Sequence, residues 1–231
     1  MKNFRDKLFC LKGYYFFSAL VFYAPVALFI RTSRGVSISE FFILQAILSF
    51  FIFIFEIPFG MITDKIGYKN SIIISHFSML LARIILLFSF CFEFFVLESI
   101  LEAVSMSFES GTMSGYEYEI IGEENFAEKT SVLGNYSTIG FIISTISFYF
   151  INNYFGQNFL IIFTIISTFI SFLFTLFFEK ENNVEKDDNK FSFKSILNTK
   201  LIVFMIFNGI ISITFILINF FYVVILQNKI K

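Results

Sequence analysis

The sequence predicts an all-α polytopic membrane protein with seven transmembrane helices. Three observations carry this. Of 231 residues, 57% are apolar and only 15% charged, where a soluble domain carries roughly a quarter charged residues. Seven stretches approach or reach the about 20 mostly apolar residues that a bilayer-crossing helix needs. Runs such as Phe50 to Phe55 and Leu160 to Ile166 do not alternate, as the strands of a membrane barrel would. With 11 Gly, 2 Pro and 2 Cys, collagen-like, disordered and disulfide-scaffold chains are excluded. A net charge of −1 without a basic block excludes a soluble nucleic-acid binder.

The spans are placed near 14–30, 41–60, 71–91, 94–114, 132–151, 158–178 and 201–226. The first follows Lys2, Arg5, Lys7 and Lys12, as in a signal peptide. Its apolar run of 17 residues is long for a cleaved signal and no small-x-small site follows, so it is read as a retained helix. The connections at 92–93 and 152–157 are short, so the spans they join form hairpins. Residues 179–200 are charged and Asn-rich and read as a cytoplasmic linker. The expected organisation is a six-helix bundle (1–178), a central loop (179–200) and a seventh helix with a short tail (201–231). With the N-terminus cytoplasmic, inside segments hold twelve Lys and Arg residues against four outside, Arg31 and Arg34 among the latter, which satisfies the positive-inside rule. Cys10 and Cys91 fall at opposite faces of the membrane and cannot pair within one chain.

No enzyme signature, Walker loop or metal-ligand spacing is present, so neither cofactor nor metal is expected. The one histidine, His76, reads either as a hydrogen-bonded packing residue or as part of a proton relay. The most informative stretch joins spans two and three, from Glu56 to Asn70. Gly60 permits close helix approach. Gly67 supplies the positive φ of a short reversal. Asp64 ends one helix, where it could face a neighbouring helix N-terminus or a cation. Lys65 and Lys69 hold the loop inside.

The spacing of Gly60, Asp64, Lys65, Gly67 and Lys69 resembles the signature loop of the major facilitator superfamily of secondary transporters. That loop lies between their second and third helices, as it does here. Tyr68 departs from the family, which usually has a basic residue there. Glu56-Ile57-Pro58 looks like a lead-in common in drug-efflux-like members. A second patch, Phe108-Glu109-Ser110-Gly111 with Tyr118-Glu119 at the end of span four, is similar to a pattern of some members, with Gly115 where Ala is usual. The resemblance implies two six-helix halves joined by a long cytoplasmic loop, each built from inverted three-helix repeats. On that pattern 1–178 is the first half and 201–226 the opening helix of the second. Five helices and one wall of the expected cavity then lie outside this sequence.

Ionisable residues within spans are costly and functional by default. Glu98, Glu102 and Glu109 share one face of span four at 100° per residue; the family's fourth helix lines the central cavity. Arg83 and Glu102 lie at matching depths of a hairpin and are expected to pair. Glu98, nearer the outer surface, is expected to be hydrated. Glu109 and Glu56 are left without a cation in the spans. A desolvated carboxylate can titrate near neutral pH, which suits proton coupling; the alternative is that both are hydrated at the cytoplasmic interface. Asn208, Ser212 and Asn219 share a face of span seven, either for interhelical bonding or as the cavity lining that the family's seventh helix provides.

The expected function is alternating-access transport of a small solute across the plasma membrane. Coupling is to an ion gradient, protons in the family, with drug-like efflux suggested by Glu56-Ile57-Pro58. Expected partners are the bilayer, the solute and the missing second half or a partner chain, and no nucleic acid. A truncated chain without independent transport is the second reading. A seven-helix receptor is disfavoured by orientation and by the lack of Lys in 201–226.

Overall fold

A computed structural model describes residues 2–124 and 126–181 and the helical residue Phe207. The expected seventh span, with Asn208, Ser212 and Asn219, and the segment 182–200 lie outside the described residues. Contacts divide the chain into units Met1–Asn183 and Val184–Lys231; all that follows concerns the first.

The described residues form α-helices α1 (Lys2–Ser18), α2 (Ala27–Ser33), α3 (Ile38–Ile66), α4 (Tyr68–Phe88), α5 (Phe92–Glu109), α6 (Thr112–Ile121), α7 (Phe126–Phe155) and α8 (Gln157–Leu176). They make six passes, α1 with α2 forming the first and α5 with α6 the fourth. By length and composition α3, α4 and α8 can each cross a membrane. The end holding Gly67, Gly122 and Glu181 is called the loop end, and the opposite end, holding Gly35, Cys91 and Gly156, the far end.

The first and fourth passes differ from the unbroken helices expected over 14–30 and 94–114. Pro25 lies in the first break, within a single 3-10 turn at Ala24–Val26. Proline has no N–H to donate and its ring clashes with the preceding turn. The main-chain groups freed there must find partners. Helix α8 bonds the break and the end of α1: Phe22 N donates to Thr164 Oγ1 at 3.0 Å, Ser167 Oγ donates to Phe17 O at 2.6 Å, and Ser171 Oγ donates to Tyr14 O at 3.3 Å. In the fourth pass Gly111 takes φ +73°, a left-handed conformation that ends α5 and restarts the chain as α6.

An inverted repeat that the sequence does not display is visible in the helix lengths. The broken passes run 17 and 18 residues before their breaks. The second members have 29 and 30 residues, and the third members 21 and 20. The reversals between second and third members are built alike, on Gly67 at φ +88° and Gly156 at φ +87°. Helix α4 packs on α3, α5, α6 and α8, while α1 packs on α7 and α8. The α4–α5 seam is made of small residues, Ser71, Ser75, Ser78 and Ala82 against Ser99 and Ala103, all buried, which lets the two backbones approach. Ser75 Oγ donates to Ser105 O across it at 2.9 Å.

Candidate functional site

Four carboxylates run along the fourth pass, Glu98, Glu102 and Glu109 on α5 and Glu117 on α6. Each meets a partner from another helix, and the partner's chemistry changes along the way. At the far end Arg31 Nη2 donates to both Glu98 oxygens, at 2.8 and 2.9 Å. Glu98 is fully buried and Arg31 5% exposed, between the rings of Phe41 and Phe95. This corrects the sequence reading of Glu98 as hydrated and of Arg31 as an outer-loop residue. The break at Pro25 sets α2 as a separate short helix, and Arg31 turns inward from it.

One turn on, Arg83 Nη2 lies 3.3 Å from Glu102 Oε1, the pair that matching depths predict. The Arg83 guanidinium also lies 5.1 Å from the centre of the Tyr23 ring. Beyond these two ion pairs the donors become neutral. Tyr14 OH donates to Glu109 Oε1 at 2.7 Å, and Tyr15 OH donates to Glu117 Oε1. The Tyr14 ring also packs on His76, with centroids 4.6 Å apart.

The loop-end residues divide into those that meet and those that do not. Ser110 Oγ donates to Glu56 Oε1 at 3.2 Å, so the lead-in of the signature loop touches the break in the fourth pass. Gly67 has the positive φ expected of it. Lys69 N donates to Glu181 Oε2 at 3.3 Å and Lys69 Nζ to Leu176 O at 3.1 Å. The carboxylate at the N-terminus of α4 is thus Glu181, from just beyond α8, and not Asp64. Asp64 and Lys65 are exposed. Gly60 is exposed too, and among the described residues nothing lies within 4 Å of where its Cβ would stand, so the six passes do not make the close approach expected there. Tyr118 is exposed and packs edge-on to Phe126; Glu119 is half-buried.

Of the three departures from the family pattern, Tyr68, Gly115 and Ser114 (where an acid is usual), the first two touch each other and Ser114 is exposed. A Cβ on Gly115 would stand 2.9 Å from Cζ of Tyr68. The aromatic ring that replaces a basic side chain therefore lies where an alanine methyl would be. A cleft of about 490 Å³ opens beside the first break, lined by Ala19, Val21, Ala24, Ser137, Thr138 and Phe141.

Sequence reasoning missed Tyr14, Tyr15, Glu117 and the inward Arg31. It also passed over the hydroxyl stripe of α8, whose spacing at 164, 167 and 171 follows the helical repeat.

The comparisons with known proteins bear on the whole of this arrangement. The uncharacterized transporter BU466 of Buchnera aphidicola subsp. Acyrthosiphon pisum (strain APS) is 29% identical over 181 residues, covering 71% of this chain and 43% of that relative. The chain thus spans less than half the length of the curated relative it matches. The family model described as Major Facilitator Superfamily matches residues 8–228. A match of that extent, over six helical passes in two inverted repeats, makes this integral membrane chain a member of the Major Facilitator Superfamily.

Proposed function

We propose that the chain provides the first bundle and the start of the second in a transporter that moves a small solute across the bilayer by alternating access, driven by a proton gradient, and that it is no enzyme. The observation that carries the coupling is the change of partner along the fourth pass. Glu98 and Glu102 each meet a guanidinium, which holds its charge at any physiological pH. Glu109 and Glu117 each meet a neutral phenol instead. Their charges are therefore open to cancellation by a proton or a cationic solute, and Glu109, on the same helix and face as the two ion-paired carboxylates, is the one we assign to coupling. The mainly apolar cleft at the first break, with Ser137 and Thr138 among its lining residues, suits an apolar solute with a few polar atoms, and together with Glu56-Ile57-Pro58 it favours efflux of such compounds. The Lys and Arg distribution favours a cytoplasmic N-terminus and loop end in the plasma membrane.

The test is uptake into proteoliposomes containing the chain, with a pH gradient imposed and lipophilic cations as solutes. Gradient-driven uptake that Glu109→Gln uncouples is the expected result. Unchanged uptake and pH dependence in Glu109→Gln would remove Glu109 from the coupling role. A second reading, that the chain alone transports nothing, is favoured by its covering 43% of the relative. Sequencing of the source DNA past codon 231, with the intact mass of the expressed protein, separates the two readings. An open frame coding further spans would supply the cavity wall, and a stop with matching mass would direct the search to a partner chain.

A further inference from the structure

The loop-end half of the first bundle holds a buried imidazole that the coupling argument does not use. His76 is 4% exposed, and its Nδ1 has no hydrogen-bond partner among the described residues. A buried polar nitrogen without a partner costs free energy, and in a membrane span its presence calls for a role. The ring lies against Tyr14, whose hydroxyl holds Glu109.

The ionisable surroundings are few. Helix α1 brings Tyr14, Tyr15 and Cys10 to the core beside it; Lys12 of the same helix is turned to the Tyr136 ring. Helix α5 brings Glu109, and also Glu102, which is taken up by Arg83 of α4 itself. Helix α6 carries Glu117, held by Tyr15, Tyr116, which donates to Glu179 O, and the half-buried Glu119. Helix α3 carries Glu56, bonded by Ser110, the exposed Asp64 and Lys65, and Glu40 in the cap at the far end. Helix α8 has no ionisable side chain. Glu109 is thus the acidic group tied to the very residue that covers His76.

We infer that His76 and Glu109, with Tyr14 between them, form a proton-binding site. The Nδ1 lone pair takes the proton from water entering at the loop end, the Glu109 carboxylate balances the imidazolium charge, and the Tyr14 hydroxyl fixes that carboxylate in place. Release returns the same proton to water and restores the neutral ring with its hydrogen on Nε2. The inference deepens the proton-coupled reading and rests on it, by naming a second residue of the coupling site.

The chain has one histidine, so 15N-histidine labelling gives ring signals from His76 alone. The experiment is a titration of the intact chain in lipid nanodiscs from about pH 5 to pH 9, across the range in which histidine changes charge. The expected result is an Nε2–H ring at high pH that becomes imidazolium on acidification. Glu109→Gln should lower the midpoint by about one unit or more, since an opposite charge nearby favours the charged ring. Glu93→Gln, at the exposed start of α5, should leave it unmoved. If Glu109→Gln does not fold, Glu109→Asp, which draws the carboxylate back by one methylene, should lower the midpoint by a smaller amount. Ring signals that do not respond to pH, or a midpoint the same with and without the Glu109 carboxylate, would overturn the inference. The readout needs no transport. A titrating, Glu109-sensitive ring in a chain that moves no solute would sink the reading that this chain transports on its own and keep the site, whereas gradient-driven transport with a silent ring would do the reverse.

Discussion

The Arg31–Glu98 pair is the most demanding electrostatic element in the bundle, and a double-mutant cycle on it has a calculable outcome. Both oxygens of a fully buried carboxylate accept from one guanidinium nitrogen at 2.8 and 2.9 Å, and Arg31 Nη1 also donates to Ala27 O at 3.2 Å. Removing one partner of such a pair strands the other charge, which costs about 3–5 kcal/mol. The two single variants differ in how the stranded group can respond. Arginine cannot discharge by losing its proton, so Glu98→Gln should show the full cost at every pH. In Arg31→Met the carboxyl left behind can discharge by binding a proton. Its cost should therefore be smaller, roughly 1–3 kcal/mol, the cost of one buried neutral polar group. The double variant strands no charge but leaves one buried neutral amide, so it should cost about 1–3 kcal/mol, well below the two singles added together. The chain has no Trp, so unfolding by SDS in mixed micelles is best followed by far-ultraviolet circular dichroism. A double variant as unstable as the two singles added together, or a Glu98→Gln change under about 1 kcal/mol, would refute the reasoning and reduce the pair to a hydrated contact.

Two further outcomes test the loop end and the orientation. Gly115→Ala places a methyl 2.9 Å from the Tyr68 ring and should destabilise the chain by about 1–3 kcal/mol, as overpacking does. Tyr68→Ala in the same background should recover most of that, and an additive pair in the same SDS titration would show that the two residues do not touch. Cys91 is exposed at the far end, so an impermeant maleimide applied to intact cells should label Cys10→Ser and leave Cys91→Ser unlabelled until the membrane is opened; the opposite pattern would invert the topology.

What could be read from the sequence depended on whether a neighbour's position was fixed by chain length. Arg83 and Glu102 were legible as a pair because a two-residue outer connection locks spans three and four into register. Gly67 was legible because a reversal that short needs a residue tolerant of positive φ. Arg31 was not, since its position relative to the membrane depends on how the chain leaves the break at Pro25, and an apolar run does not show where a helix stops. Tyr14 and Tyr15 were not legible because an aromatic residue in an apolar span looks the same whether it meets lipid or a carboxylate. The capping box at Ser37 and Glu40, in which each side chain bonds the other's backbone N–H, and the hydroxyls of α8 were present as plain sequence signals. They are local patterns that a search for long apolar runs passes over.

The inverted repeat gives these contacts a common logic. In each repeat the first pass breaks after nearly the same number of residues, and the short half beyond the break reaches the long half of the other repeat. At the far end α2 of the first repeat grips α5 of the second through Arg31 and Glu98. At the loop end α6 of the second grips α1 of the first through Glu117 and Tyr15. The two clasps are related in position and unlike in chemistry. The far one joins opposite charges in a dry site, where separation leaves both uncompensated. The loop-end one joins a carboxylate to a neutral hydroxyl, a hydrogen bond that water can replace at small net cost, beside ring contacts of Tyr68 on Gly115 and Tyr116 on Phe178. Helix α6 also hangs from Gly111, whose left-handed backbone already interrupts the pass. The asymmetry predicts that backbone amides of α6 exchange with solvent faster than those of α2 beside the Arg31–Glu98 pair. Equal or slower exchange in α6 would count against a loop end that lets water reach the proposed proton site first.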